Sequence, residues 1–292
     1  MFKKKKIGLA LCGGAARALC HVGVLKVLTQ LDLDISAVSG TSMGAIIGSL
    51  YCSGVPLEDI EDFVKEMDWR SMLMFSDITL PRMGMVNGKK VEKILKDFLG
   101  TRTFDQCRPQ FCCTAVDMLS QKRVILSQGG LVDAVRASIS IPGFFSPVIF
   151  DGMVLVDGGV IEPLPAEAIG IFDVDFTIGV SIVLDQVKDS SQYYKKLTDY
   201  ESESRAMGFF RRVFNLRKKR KFPTTYEILN TSFNIIQREM AKNYYKYTDI
   251  VIEPKVGEYG FFDFTKGSEI IEKGCIAARE KVPELKQKLG LK

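Results

Sequence analysis

Twice within its first stretch the chain repeats one pattern, in which a short apolar run ends in a glycine-rich turn that opens directly into an apolar helix. Lys6–Leu11 runs into Gly13-Gly14, after which Leu19, Val22, Leu25, Val27 and Leu28 recur at three- and four-residue steps within Arg17–Leu31. Ile35–Ser39 then runs into Gly40-Thr41-Ser42-Met43-Gly44, followed by a second helix through Tyr51. Parallel strands need a crossover between them, and the helix of each unit supplies one. This alternation predicts an α/β fold: a three-layer α/β/α sandwich with a mostly parallel central sheet.

Further along, Leu57–Met67 and Lys89–Phe98 carry amphipathic helical spacing. Phe111–Val116 and Arg123–Leu126 read as strands around the turn at Met118-Leu119-Ser120. Leu131–Ser138 is a helix stopped before Pro142, and Met153–Val156 is a strand leading into Asp157-Gly158-Gly159. Val174–Ile182 reads as a buried strand, Pro223–Tyr245 as a long helix, Ile250–Ile252 as a last strand, and Gly267–Gln287 as a terminal helix interrupted near Pro283. Asp185–Phe222 is polar and weakly periodic, as in a loop or mobile insertion. With no internal repeat, residues 6–280 are expected to form one domain.

Composition narrows the function. At 46% hydrophobic and 26% charged, the 292-residue chain has an ordinary soluble composition, and no apolar run approaches the ~18–20 residues of a membrane-spanning helix. The seven cysteines lack CxxC spacing and sit in apolar surroundings, so buried thiols of a reducing compartment are expected rather than disulfides or zinc. Met1–Lys6 followed by Ile7–Cys12 imitates a secretory leader, but its apolar core of about five residues falls short of the ~7–15 required. We therefore expect a cytoplasmic protein. Net charge is +5, yet eight basic residues and no acid fall between Arg205 and Lys221, interleaved with Phe209, Phe210 and Phe214. No nucleic-acid-binding motif accompanies them. If that block has a partner, Arg211–Lys221 is expected to touch an anionic membrane surface peripherally.

The chemistry concentrates at the two turns. Gly40-Thr41-Ser42-Met43-Gly44 is a G-x-S-x-G segment between strand and helix, where a sharp turn strains the serine backbone and lifts its hydroxyl above the sheet. A nucleophilic serine needs a proton acceptor, and the single histidine, His21, precedes it inside the first helix. Either Ser42 is no nucleophile, or a carboxylate takes its proton directly. Asp157 is the best candidate, since it ends a strand and the two glycines after it leave its side chain room. Desolvation would raise its pKa from about 3.9 toward that of a useful base. The small residues of Cys12-Gly13-Gly14-Ala15-Ala16-Arg17 let backbone N–H groups converge on an anion at a helix start. Ala15 and Ala18 break the dinucleotide glycine pattern, and Ser39 stands at the end of the second strand where an acid is wanted, so a nucleotide-binding module fits poorly. An oxyanion hole formed by Gly13, Gly14 and Ala15 suits the same geometry.

Together, Gly13-Gly14-Ala15-Ala16-Arg17, Gly40-Thr41-Ser42-Met43-Gly44, Asp157-Gly158-Gly159 and the stretch Val135–Pro142 resemble the patatin-like phospholipase family of bacterial type. The resemblance covers roughly residues 6–280. It implies a serine lipid acyl hydrolase (a phospholipase, lysophospholipase or other carboxylic ester hydrolase) that uses a Ser42–Asp157 dyad without histidine, calcium or cofactor. The glycine-loop amides would form its oxyanion hole. Two departures stand out: the family usually has glycine where Ala15 and Ala18 stand, and alanine at a positive φ would misaim its N–H. The competing expectation is a non-catalytic lipid-binding protein that keeps the fold.

Overall fold

The first strand, β1 (Ile7–Leu11), is buried from end to end, as an interior strand of a parallel sheet must be when both faces are covered. The structure is a computed structural model and describes residues 4–66, 88–182 and 225–291. β1 pairs in parallel with β2 (Ile35–Gly40) on one edge and β7 (Phe176–Val180) on the other. β3 (Gln110–Asp117) continues the parallel set beyond β2, and β8 (Ile250–Ile252) continues it beyond β7. The strands β4 (Lys122–Leu126), β5 (Val148–Phe150) and β6 (Met153–Asp157) join antiparallel, giving one sheet in the order β5-β6-β3-β2-β1-β7-β8 with β4 also on β3.

The pairing of β3 fixes what meets at the end of the sheet. β4 pairs with Cys113 through Asp117 along one edge of β3. β2 also pairs with Cys113, and β6 pairs with Ala115 through Asp117. Two strands cannot occupy one edge at the same residues, so β2 and β6 share the edge opposite β4. They run in opposite directions along it, and each ends facing the other: Gly40 lies opposite Cys113 and Asp157 opposite Ala115, with Thr114 between.

Alternation along β1 sends its side chains to two cores. Ile7, Leu9 and Leu11 enter the main one. There they meet α1 (Cys20–Thr29), α2 (Met43–Cys52), α3 (Leu57–Glu66), α4 (Lys89–Leu99), α5 (Leu131–Ser138) and α7 (Gly267–Leu289). Ala10 and Cys12 face the other side, against Leu164, Ala166 and the residues Ala241 and Tyr244 of α6 (Thr225–Tyr244). This is the α/β/α layering the sequence predicts. Gly8 lets Ile169 and Val174 lie directly against the strand on this side.

Several boundaries differ from expectation. The first helical unit begins as a 3-10 turn, Ala15–Leu19, before α1 starts at Cys20. The strand expected over Val174–Ile182 is confined to Phe176–Val180. The terminal helix is not interrupted at Pro283 but continues to Leu289. A proline costs a helix one hydrogen bond and strains the preceding turn, yet Ala278 and Leu285 are fully buried on either side and hold the helix through it. Asp185–Phe222, with its Arg211–Lys221 block, and Met67 lie outside the described residues. Among the described residues no helix is long and apolar enough to cross a membrane.

Candidate active site

Ser42 joins β2 to α2 with φ 55° and ψ −123°, a conformation that costs a non-glycine residue on the order of 1–3 kcal/mol. The surroundings hold it there. Its N–H donates to Ser138 Oγ at 3.0 Å, and the Thr41 N–H donates to the Leu11 carbonyl at 3.1 Å. The Thr41 hydroxyl meets Thr114 Oγ1 at 2.7 Å and donates to the Glu162 carbonyl at 2.9 Å. Gly44 is dictated by close approach, since a Cβ there would collide with the carbonyls of Leu11 and Cys12. The positive end of α2 points at the serine.

Asp157 comes to the same point from the opposite direction, at the end of β6. It is fully buried. Its N–H donates to the Ser140 carbonyl at 2.9 Å, and its Oδ1 accepts the Gly159 N–H at 2.7 Å. The other oxygen, Oδ2, is buried with no hydrogen-bond partner among the described residues. Burial pushes its pKa up to about 7, while the neighbouring Ser42 hydroxyl and the Gly159 amide favour the ionised form and pull the other way. Ser42 and Asp157, far apart in sequence, are thus brought together.

The glycine loop follows β1. Gly14 has φ 149° and Ala15 φ 49°, so alanine does occupy a left-handed position. One expected donor must be corrected: the Gly13 N–H donates to the Pro163 carbonyl at 2.9 Å and is already engaged. Gly13 instead makes room, because a Cβ on it would lie 3.3 Å from Ser42 Cβ. The amides of Gly14 and Ala15 have no partner among the described residues. His21 is buried in α1, and its Nε2–H donates to the Cys12 carbonyl at 2.8 Å, which fixes its tautomer. Burial lowers its pKa to about 4, so at neutral pH it is an uncharged brace for the start of the loop.

Ser42 and Ala15 open onto an apolar pocket whose walls include Ile46, Ile139, Phe144, Phe145, Phe261 and Phe262. Sequence reasoning missed these aromatics, although the run Gly260-Phe261-Phe262-Asp263-Phe264 was a visible signal. It also missed Glu162, fully buried and paired with Arg123 Nη1 at 2.7 Å. All seven cysteines are buried and unpaired. Among the described residues no group of three or more His, Cys, Asp or Glu side chains could hold a metal ion.

Comparison with known proteins gives the family. The family model for patatin-like phospholipase matches residues 9–169, more than half of the chain, and the protein belongs to that family. An uncharacterised NTE family protein of Mycobacterium tuberculosis is 34% identical over 177 residues, covering 61% of this chain and 49% of its own. The lysophospholipase NTE1 of Pyricularia oryzae is 25% identical over 278 residues, covering 92% of this chain and 18% of that protein. The chain therefore spans about half or less of the curated relatives it matches. Among solved structures, VipD from Legionella pneumophila shares the fold with a TM-score of 0.58 at 13% identity, covering 97% of this chain and 67% of that one.

Proposed function

We propose that this protein is a serine hydrolase of lipid acyl esters, with Ser42 as nucleophile and Asp157 as its general base. The observation that carries this is a hydroxyl on a strained strand-to-helix turn, beside a buried carboxylate with one oxygen open, at the mouth of an apolar pocket. As Ser42 Oγ attacks the acyl carbonyl, its proton passes to Asp157. The Gly14 and Ala15 amides receive the oxyanion, and the proton then goes to the departing alcohol. Water, deprotonated by the same carboxylate, attacks the acyl–enzyme; its proton returns to Ser42 as the fatty acid leaves. The pocket beside Ser42 suits an acyl chain.

A base with a pKa near 7 is matched to work at neutral pH. That match explains how one carboxylate could replace the imidazole this site lacks. The basic residues of Arg211–Lys221 fit the same function as a peripheral contact to an anionic lipid surface of the cytoplasm. Deleting them should weaken binding to anionic vesicles, and unchanged binding would remove that part of the proposal. The hydrolase itself is tested by fatty acid release from a panel of lipid esters. Release is expected from the wild type and none above background from Ser42→Ala; equal release from both would refute it.

A further inference from the structure

The glycine loop also lines a second pocket, of different character. Gly14 belongs to it as Ala15 belongs to the apolar one, so the two adjoin through the loop. Among the described residues its walls include two arginines, Arg17 and Arg238, and no acidic residue. Arg17 is half-buried; its Nε donates to the Tyr259 carbonyl at 2.7 Å and its Nη1 to Asn234 Oδ1 at 3.4 Å. Among the described residues no carboxylate lies within ion-pair distance of it. Burial lowers its pKa, and Asp263 opposes this only as a more distant charge. Among the described residues Arg238 pairs with the exposed Glu239 alone, at 3.0 Å, a carboxylate it shares with Lys242.

Gln237, next along α6, brings this pocket to the dyad. A Cβ on Gly159 would strike the Gln237 carboxamide while lying 3.0 Å from Asp157 Oδ1. Carboxamide and carboxylate therefore flank the same bare Cα, and Gln237 makes no hydrogen bond among the described residues. An ester whose acyl chain fills the apolar pocket must send its departing alcohol elsewhere. The Gln237 side is polar and leads to two guanidinium groups.

We propose that this second pocket is a leaving-group subsite for a phosphate-bearing headgroup, with Arg238 and Gln237 as specificity-determining residues. The proposal rests on the hydrolase function above and deepens it. Planar guanidinium forks match phosphate oxygens in pairs, and a half-buried Arg17 with no carboxylate partner among the described residues is a charge suited to an anion. Both specificity residues lie on α6, beyond the residues 9–169 that match the family model.

The test compares two esters of one acyl chain, palmitoyl lysophosphatidylglycerol and monopalmitoylglycerol, which differ by the phosphate headgroup. Arg238→Gln should lower the ratio of kcat/KM for the first over the second by about tenfold, through KM, the scale of a lost charge-assisted hydrogen bond. Arg238→Lys should restore part of it, and Gln237→Ala should lower the ratio less. An unchanged ratio in both Arg238→Gln and Gln237→Ala overturns the subsite. A binding arm uses Ser42→Ala and calorimetry with the same lysophospholipid, glycerol phosphate and inorganic phosphate. Tightest binding of the lysophospholipid, weakened by Arg238→Gln, supports a headgroup subsite; inorganic phosphate binding equally well overturns it. If the wild type hydrolyses neither these two esters nor any other of the panel while lysophospholipid binding still depends on Arg238, the headgroup subsite stands and the hydrolase function falls.

Discussion

Asp157 at the end of β6 and Glu162 in the turn that follows are both fully buried, and burial raises the pKa of each. Their surroundings differ. Glu162 Oε1 accepts the N–H groups of Glu167 and Ala168, each at 3.1 Å. Its Oε2 meets Arg123, which also holds Glu167 at 2.8 Å. Asp157 has one amide on Oδ1 and, among the described residues, no hydrogen-bond partner on Oδ2. A carboxylate with both oxygens engaged and a cation beside it is a strut. One left with an open oxygen beside a hydroxyl is a base in waiting, because the charge that burial disfavours can be relieved only by a proton.

The largest effect that would break this contrast concerns the reacting pair. Ser42→Ala should abolish turnover, by about 10⁴-fold or more, with unchanged circular dichroism. Asp157→Asn keeps size and removes the base, and should cost about 10³-fold in kcat. Its stability should move the other way. The folded carboxyl keeps its proton up to about pH 7, whereas the unfolded one ionises near 3.8. Between those values the folded state binds more protons, so wild-type stability falls as pH rises. Asp157→Asn escapes that loss, and its Tm should exceed the wild type's by several degrees at pH 8, with the gap closing toward pH 4. A lower Tm at pH 8 would show that Asp157 too is a strut.

Glu162→Gln should do the reverse. It removes one of the two carboxylate partners of Arg123 and should cost roughly 1–3 kcal/mol, seen as a lower Tm, while kcat per folded molecule stays within a few-fold. A collapse of kcat at unchanged Tm would erase the distinction between the two carboxylates. The smallest effect belongs to Ala15→Gly. Relief of the φ of 49° and the added freedom of glycine in the unfolded chain oppose each other, so Tm should shift by no more than the equivalent of about 1 kcal/mol. A change in kcat beyond a few-fold would mean that the Ala15 methyl shapes the hole.

What the sequence could reveal follows from range. The two strand–turn–helix units were legible because a turn, its glycines and its helix are contiguous, and Ser42 came with them. Asp157 was legible as the end of a strand before two glycines, but not the route by which it reaches Ser42. A short apolar run such as Met153–Val156 reads alike in either direction, so the antiparallel entry of β6 was hidden. The commitment of the Gly13 amide to Pro163 left no trace, since a backbone hydrogen bond between distant segments does not depend on side-chain identity. Arg123 and Glu162 pair across a shorter span for charge reasons that composition alone cannot locate.

The most direct measurement follows Ser42 itself, free of any choice of lipid: the rate at which a fluorophosphonate labels it, as a function of pH, in the wild type and in Asp157→Asn. In the wild type the rate should rise about tenfold per pH unit below the plateau, bend near pH 7 and stay level above it. Asp157→Asn should label slowly and show no such bend. If the variant keeps the wild-type rate, or keeps the bend, another group accepts the proton and Asp157 is not the base.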